Sequence, residues 1–329
     1  MRWTSFCHAR AVLSQRWLPS FLLSFLLCGG LASEAHAATS YAAEVLADNP
    51  VSYWRLGESS GTVATDQKGL NDGTYVGAVT KGVTGALIGD TDTAISFSGS
   101  TSDYVRFNAF KSHPSTAATF EFWMKSLDKS KNGTPYSYLT STTTNTNDYL
   151  IYDYQNLALY VNGSAITSGQ VLTDGNWHHV VVTWNSSDGA ARVYVDGVVK
   201  LQSTIAKGAV IAGGGVAMLG QEQDCAGGCF EASQAFIGVI DEVALYNVVL
   251  TPERVLAHFQ IARNDTDGDG ITDPRDNCVS TANPTQSNND GDSQGDACDS
   301  DDDNDTVADT SDNCPLTANT SQTNTDGDS

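Results

Sequence analysis

The chain has 329 residues and a formal net charge of −22 at pH 7, with 39 acidic against 17 basic side chains. Such a negative field repels phosphate backbones, so a nucleic-acid partner is excluded. The length suits one large domain plus a smaller region, and no apolar run is long enough to form a transmembrane segment.

Residues 1–37 have the pattern of a secretory signal peptide. Three arginines fall within the first 16 residues, residues 17–27 are mostly apolar, and Ala35-His36-Ala37 is a small-residue cleavage site. The mature chain is therefore expected to begin near Ala38. Export predicts a secreted, extracellular or cell-surface protein, or a periplasmic one in a Gram-negative host.

The first domain, residues 38–263, contains short runs of alternating apolar and polar side chains that turn residues separate, which predicts strands. The predicted strands are 94–98, 104–107, 119–124, 149–152 and 236–246, and residues 193–199 form a hairpin around Asp196-Gly197. Thr251 is expected to cap one helix that starts at Pro252 and runs to about Ala262. We therefore predict an all-β, antiparallel β-sandwich that one C-terminal helix closes.

Three stretches of this domain resemble the laminin-G and pentraxin group of concanavalin A-like domains. They are NPVSYWRLGE (49–58), LTDGNWHHVVVTWNSSDGAARVYVDG (172–197) and FIGVIDEVALYNVVLTPERVLAHF (236–259). The resemblance covers roughly residues 41–262 and implies a jelly roll. It does not identify a ligand, because such sandwiches host many of them.

One loop, GQEQDCAGGCFEASQ (220–234), collects three carboxylates and three carboxamides. Held close together, the carboxylates would raise one another's pKa, whereas a divalent cation between them reverses that effect. Ca²⁺ takes about six to eight oxygen ligands, while soft metals favour Cys or His. The loop is similar to the calcium loop of pentraxins, which implies the ligands Asn147, Asp148, Glu222, Gln223 (through its backbone carbonyl), Asp224, Glu231 and Gln234.

Two cysteines in this loop, Cys225 and Cys229, depart from the pentraxin pattern. They could bind zinc, but two thiols without a second Cys or His pair make a poor tetrahedral site. In an exported protein a disulfide between them is favoured. Such a bond would limit the motion of the loop and order its ligands before calcium arrives.

From Asn264 onward the composition changes to 17 Asp, no Glu and one basic residue, Arg275. A disordered acidic tail is the simplest interpretation. The tail nevertheless repeats itself after 36 residues, since TANPTQSNNDGDS (281–293) aligns with TANTSQTNTDGDS (317–329).

Within each repeated unit of the tail, acids or amides fall at offsets 1, 3, 5, 9 and 12, which are ligand positions of a loop that wraps one Ca²⁺. The predicted ligands are Asp265, Asp267, Asp269, Asp273 and Asp276; Asn288, Asp290, Asp292, Asp296 and Asp299; and Asp301, Asp303, Asp305, Asp309 and Asp312; a fourth unit starts at Asn324.

The tail resembles thrombospondin type 3 repeats over residues 264–329. DTDGDGITDPRDNC, NPTQSNNDGDSQGDAC and DSDDDNDTVADTSDNCP carry the resemblance. It implies calcium-filled loops with little secondary structure, a disulfide between Cys278 and Cys298, and a partner for Cys314 at position 334. Because the chain stops at Ser329, inside a unit, we expect this sequence to be a fragment.

Together these features predict a calcium-binding protein in adhesion or recognition, with a lectin-like domain on a calcium-filled stalk. The pentraxin resemblance implies two neighbouring ions with open positions for carbohydrate or an anionic extracellular ligand; other surface proteins are further candidate partners. The acid motif E-x-D-x-x-E of glycoside hydrolases of related fold does not occur, so we predict that the chain is not an enzyme. The alternatives are a structural spacer that binds no ligand, and an accessory module of a larger secreted hydrolase.

Overall fold

The computed structural model describes residues 40–143 and 146–323. The predicted signal peptide and the predicted fourth tail unit at Asn324 lie outside these residues. In chain order the elements are α1 (Tyr41–Ala47), β1 (Ser52–Trp54), β2 (Val63–Ala64), β3 (Gly73–Val76), β4 (Thr80–Thr84), β5 (Thr93–Ser98), β6 (Tyr104–Phe107), β7 (Ala117–Lys125), β8 (Tyr136–Leu139), β9 (Tyr149–Tyr152), β10 (Ala158–Val161), β11 (Ser164–Thr167), β12 (Trp177–Asn185), β13 (Ala190–Val195), β14 (Val198–Thr204), β15 (Val216–Leu219), β16 (Ile237–Tyr246) and α2 (Pro252–Arg263). Two 3₁₀ turns, Asp273–Arg275 and Asp309–Ser311, follow in the tail.

The strands form two antiparallel sheets. The first sheet has the order β14-β13-β12-β7-β16-β5-β4, with β1 paired to β16, and the second has the order β11-β10-β9-β8-β15-β6-β3-β2. Their facing sides enclose one apolar core, in which the ring of Phe120 from β7 stacks 4.2 Å from the ring of Tyr136 on β8. The predicted β-sandwich with a C-terminal helix is therefore confirmed.

The sequence-predicted elements are found close to their expected places. The β13–β14 hairpin turns at Asp196 and Gly197, whose φ angles of 54° and 73° are the left-handed values that such a turn needs. Thr251 caps α2 by accepting a hydrogen bond from the backbone N–H of Arg254. Helix α1 is an addition to the predicted fold. It has only seven residues, too few for a helical period to show in the sequence.

Both helices cover the outer face of the first sheet. Side chains alternate along a strand, so Trp123 of β7 and Val181 of β12 point away from the sandwich core. They pack instead with Val45 of α1 and Val255 of α2 in a second apolar cluster. As a result, β7 and β12 are buried on both faces, which explains why their sequences are nearly continuous apolar runs.

A buried polar network lies under the helices, centred on Glu121 of β7. Its carboxylate accepts hydrogen bonds from the hydroxyls of Tyr41 and Tyr246, both at 2.9 Å, and contacts His179 and His258 at 2.8 and 2.9 Å. Burial alone would raise the pKa of Glu121, but the two imidazoles hold it well below its usual value. Burial opposes charge on His258, yet Glu121 and Asp48 raise its pKa to about 9.

The described part of the tail consists of loops and the two 3₁₀ turns, in agreement with the predicted low content of secondary structure. Helix α2 ends at Arg263, directly before the acidic segment. The domain limits at 37 and 263 stay predictions. Across residues 40–143 and 146–323, the structure contains no helix with the length and apolarity required to cross a bilayer.

Candidate metal centres

The oxygen-rich loop 220–234 is anchored on the outer face of the second sheet. The hydroxyl of Ser137 on β8 donates to the carbonyl of Gln221 at 2.7 Å, and the backbone N–H of Ala226 donates to the carbonyl of Ser141 at 2.8 Å. The side chain of Gln223 is buried; its amide donates to the Ser137 hydroxyl at 2.9 Å and its oxygen accepts from the backbone N–H of Gly227 at 2.8 Å. The Gln223 side chain therefore fixes the loop, and the predicted metal role of its backbone carbonyl stays a prediction.

A polar cavity of about 140 Å³ opens beside this anchored loop. Tyr149 and Ile151 of β9 belong to the core, so the intervening Leu150 and the following Tyr152 face outward, as does Tyr160 on β10. The cavity is lined by Asn147, Leu150, Tyr152, Tyr160, Glu222 and Gln234. The structure thus brings together three of the seven predicted ligands of the domain, from two distant segments.

The cavity has the donor chemistry of a hard cation. Glu222 is only 2% exposed. The side-chain oxygen of Gln234 is buried and accepts no hydrogen bond from the described residues, so one acceptor there is unused. Burial, with smaller contributions from Tyr152, Asp153 and Glu222, raises the pKa of Tyr160, which keeps its hydroxyl protonated. Carboxylate and carboxamide oxygens of this kind suit Ca²⁺.

The other predicted ligands of the domain do not line this cavity. Asp148 turns its carboxylate into its own loop, where it accepts hydrogen bonds from the backbone N–H and hydroxyl of Thr140 at 2.8 and 2.6 Å. Asp224 is half-buried beside the disulfide turn, and the side chain of Glu231 is exposed. For these three side chains a role as metal ligands stays a prediction.

The disulfide turn of the loop rests on a residue that the sequence did not indicate. Cys225 and Cys229 form a disulfide with their Cα atoms 5.4 Å apart. A Cβ at Gly227, in the middle of the turn, would lie 2.5 Å from the guanidinium of Arg106 on β6. Arg106 therefore packs under the turn, and the φ of 84° at Gly227 is the left-handed value that favours a glycine there. No local signal links a strand residue to a loop so far along the chain.

The described tail, residues 264–323, contains three compact groups of carboxylates, one in each of the first three predicted units. In each group the oxygens of three side chains lie within 4.8 Å of one another. The groups are Asp265, Asp267 and Asp269; Asp290, Asp292 and Asp299; and Asp301, Asp303 and Asp305. One oxygen each of Asp267 and Asp303 is buried without a hydrogen-bond partner among the described residues. Desolvation and neighbouring negative charges raise the pKa of both groups, so the residues fit a divalent cation.

The 36-residue repeat holds at the level of single hydrogen bonds. Asp269 accepts from the backbone N–H groups of Ile271 and Asn283 at 2.8 and 2.7 Å. Its counterpart, Asp305, accepts from the corresponding groups of Val307 and Asn319 at the same distances. A disordered tail would not repeat such detail, so the structure favours the ordered-loop interpretation over the simple one.

The remaining predicted tail residues close the loops in this structure. Asp273 accepts from the backbone N–H of Thr266 at 2.6 Å, and Asp276 accepts from the amide of Gln286 at 2.8 Å. The corresponding bonds are repeated at Asp309 and Asp312, and Asp296 accepts from the backbone N–H of Asn289. Asn288 accepts from the N–H of Gly291 at 2.6 Å. The sequence pattern did not indicate the part that Gln286 plays.

One disulfide joins successive tail units. Cys278 and Cys298 are bonded, with their Cα atoms 5.7 Å apart. Cys314, at the position equivalent to Cys278, is exposed and forms no disulfide within the described residues.

Comparison with known proteins identifies both regions. A model of the pentaxin family matches residues 95–266, and one of the thrombospondin type 3 repeat matches residues 263–286 and 287–322. The chain is 43% identical over 141 residues to rat (Rattus norvegicus) sushi, von Willebrand factor type A, EGF and pentraxin domain-containing protein 1, covering 42% of this chain and 4% of that protein. It is 33% identical over 141 residues to guinea-pig (Cavia porcellus) neuronal pentraxin-2, covering 42% of this chain and 32% of that protein.

Among solved structures, the native heptameric SAP-like pentraxin of Limulus polyphemus aligns with a TM-score of 0.43 and 27% identity, over 52% of this chain and 81% of that chain. The chain spans a third or less of the length of the two relatives, 4% and 32% respectively. The family model nevertheless covers more than half of the 329 residues. The predicted resemblance is confirmed: the chain belongs to the pentaxin family and carries thrombospondin type 3 repeats after its pentaxin domain.

Proposed function

We propose that this chain is a secreted or cell-surface recognition module whose pentaxin domain binds an oxygen-rich ligand through calcium, while its tail forms a calcium-ordered stalk. The observation that carries the proposal is the cavity that joins Asn147, Glu222 and Gln234 beside two tyrosines. Both families are calcium-binding, and the carboxylate groups of the tail have the corresponding donor chemistry.

Calcium in the cavity would be held by Glu222, Asn147 and Gln234, with Asp148, Gln223, Asp224 and Glu231 as further predicted ligands. When bound, the ion supplies positive charge and open coordination positions for an external oxygen. The protein's own contribution is to hold the oxygens in place through the buried Gln223 and to present aromatic rings at the rim. Tyr152 and Tyr160, whose ring centroids are 6.1 Å apart, can pack against the apolar face of a sugar.

This chemistry supports a hydroxyl-rich or anionic ligand, with carbohydrate as the first candidate class. Export from the cell would place the module where such ligands occur, and other surface proteins are additional candidate partners. The matched relatives are pentraxins and pentraxin-domain proteins, which supports binding without catalysis.

A glycan array and a phosphate-ester resin, each used with ~1 mM Ca²⁺ or with EGTA, test the proposal. We expect binding to at least one surface that EGTA abolishes. Glu222→Gln should abolish it as well, whereas Glu253→Gln, at an exposed position on α2, should not. Binding that ignores calcium and Glu222, or no binding to either surface, would contradict a calcium-dependent recognition module.

A further inference from the structure

The first tail loop, 265–276, is packed against the sandwich. Thr272, three residues after the ligand Asp269, is fully buried, and its hydroxyl donates to the carbonyl of Ile261 in α2 at 3.1 Å. Its counterpart one repeat later, Ala308, is exposed. Among the described residues, no hydrogen bond joins the third tail loop, 301–312, to the sandwich. The two loops therefore share predicted calcium ligands but differ in their surroundings.

The connection between β4 and β5, residues 85–92, forms the other side of this contact. Its Ile88 donates a backbone hydrogen bond to Ala262 at 3.0 Å, and Arg263 donates to the carbonyl of Ala86 at 3.0 Å. Gly89 touches the calcium loop itself, because a Cβ there would lie 2.7 Å from the carbonyl oxygen of Gly270. The backbones of the first tail loop and of the β4–β5 connection are therefore in direct contact at this point.

The β4–β5 connection is in turn tied to the sheet. Asp90 and Asp92 form ion pairs with Arg55 at 2.8 and 3.0 Å, and Arg55 pairs at 2.7 Å with Glu242, which is fully buried in β16. The backbone N–H of Ala86 donates to Asp241 at 2.8 Å. A series of contacts thus runs from the first tail loop, through the backbone contact at Gly89 and the ion pairs of Arg55, to β16 in the middle of the first sheet.

From these contacts we propose that the first tail loop is a calcium-dependent brace of the sandwich, whereas the third loop is an independent site. The proposal rests on the calcium binding of the tail that is proposed above. A ligand that binds only the folded form stabilises every part that unfolds together with its site. Calcium in the first loop would therefore raise the melting temperature of the sandwich, and calcium in the third loop would not.

Tryptophan fluorescence can isolate the sandwich in this experiment. After the predicted signal peptide, the chain has Trp54, Trp123, Trp177 and Trp184, all before residue 263, and no tryptophan follows. A thermal melt followed by tryptophan emission therefore reports on the sandwich alone. All proteins carry Glu222→Gln, so that the cavity of the domain does not contribute to the effect of calcium.

The central comparison is between Asp267→Asn/Asp269→Asn and its exact repeat counterpart, Asp303→Asn/Asp305→Asn. In the Glu222→Gln background we expect ~1 mM Ca²⁺ to raise the melting temperature by roughly 3–5 °C over EDTA. The first-loop variant should lose most of that shift, and the third-loop variant should keep it. Equal losses in both variants, or no loss in either, would overturn the brace.

A second pair of variants leaves every carboxylate intact. Gly89→Ala places a methyl group against Gly270, whereas Gly82→Ala, at a similar φ of 71° instead of 69°, meets no atom within 4 Å. Both variants carry the same backbone strain, but only Gly89→Ala should reduce the calcium-induced shift of the melting temperature.

Calcium titration calorimetry distinguishes the brace from the proposed calcium binding of the tail on which it rests. Uptake by the first loop without a melting shift would overturn the brace alone, while no uptake by the tail would overturn the proposed function as well.

Discussion

The two regions of this chain hold their oxygen ligands in different ways. In the sandwich, loop 220–234 lies on a finished sheet, and buried side chains such as Gln221 and Gln223, each 1% exposed, fix it there. In the tail, the carboxylates cluster along loops that have almost no apolar core. Cys278 is the single buried apolar side chain among the described tail residues. The sandwich thus carries its oxygen donors on a completed fold, whereas the tail has no hydrophobic core of its own, so we predict that the order of the tail depends on bound cations.

The largest expected effect is the response of the two regions to chelation. EDTA should expand the tail and expose it to protease, because the repelling carboxylates lose the ion that offsets their charge. The sandwich should keep its fold. Small-angle scattering and limited proteolysis measure the tail, and far-ultraviolet circular dichroism measures the sandwich. A tail that stays compact and protease-resistant in EDTA would remove the contrast between the regions.

A substitution in the buried network should destabilise the sandwich and leave calcium uptake by the tail unchanged. Glu121→Gln leaves His258 charged and buried without its main partner, so we expect the sandwich to lose roughly 3–5 kcal/mol of unfolding free energy. Urea denaturation followed by tryptophan emission measures the loss. The exposed Glu253→Gln serves as the control and should cause no detectable change. Calcium uptake by the tail should survive Glu121→Gln under native conditions, and its loss would indicate that the regions are not separable.

The same network predicts how the stability of the sandwich depends on pH. The folded pKa of His258, about 9, exceeds its ordinary value of 6.5, so its contribution is fully present below pH 6.5 and is lost as pH rises through 9. The loss should be on the order of 3 kcal/mol. The depressed pKa of Glu121 acts at the acid end, where its contribution is lost as pH falls below its ordinary 4.5. Urea denaturation at several pH values measures both limbs of the stability profile, the alkaline limb that His258 causes and the acid limb that Glu121 causes.

The control for this pH profile is His258→Gln. It should remove the loss of stability at alkaline pH, while the loss at acid pH should stay in the acid range. An alkaline limb that persists in His258→Gln would assign the effect to another group. The tail has no histidine, so its calcium uptake should not share the alkaline limb.

The smallest expected effect concerns the two disulfides. Cys225→Ser/Cys229→Ser removes the bond that closes the loop of the sandwich, and we expect the calcium affinity of that loop to fall about tenfold, or roughly 1.4 kcal/mol. The matched variant Cys278→Ser/Cys298→Ser should weaken calcium binding by the tail and leave the loop of the sandwich unchanged. Calcium titration calorimetry measures both. Equal effects of the two variants on the sandwich would contradict separate sites.

Much of the fold was predictable because its signals are local. The alternation in residues 119–124 and 149–152, the Asp196-Gly197 turn and the Thr251-Pro252 helix start each depend on a few neighbouring residues. All of them are found in the structure close to the expected limits. Helix α1 was not predicted, because its seven residues are stabilised by packing on the first sheet and not by a period of their own.

The sequence by itself determined the chemistry of this protein. Oxygen donors recur at fixed offsets in the tail and crowd into one short loop of the sandwich, and such donor sets favour a hard cation over a soft one. Only the tertiary structure decided which of these donors meet. Asn147 joins Glu222 and Gln234 because β8 lies between β9 and β15 in the second sheet. Likewise, Arg106 reaches the disulfide turn and Gly89 reaches Gly270. These contacts join residues far apart in the chain, so strand order and packing set them, and no local pattern records them.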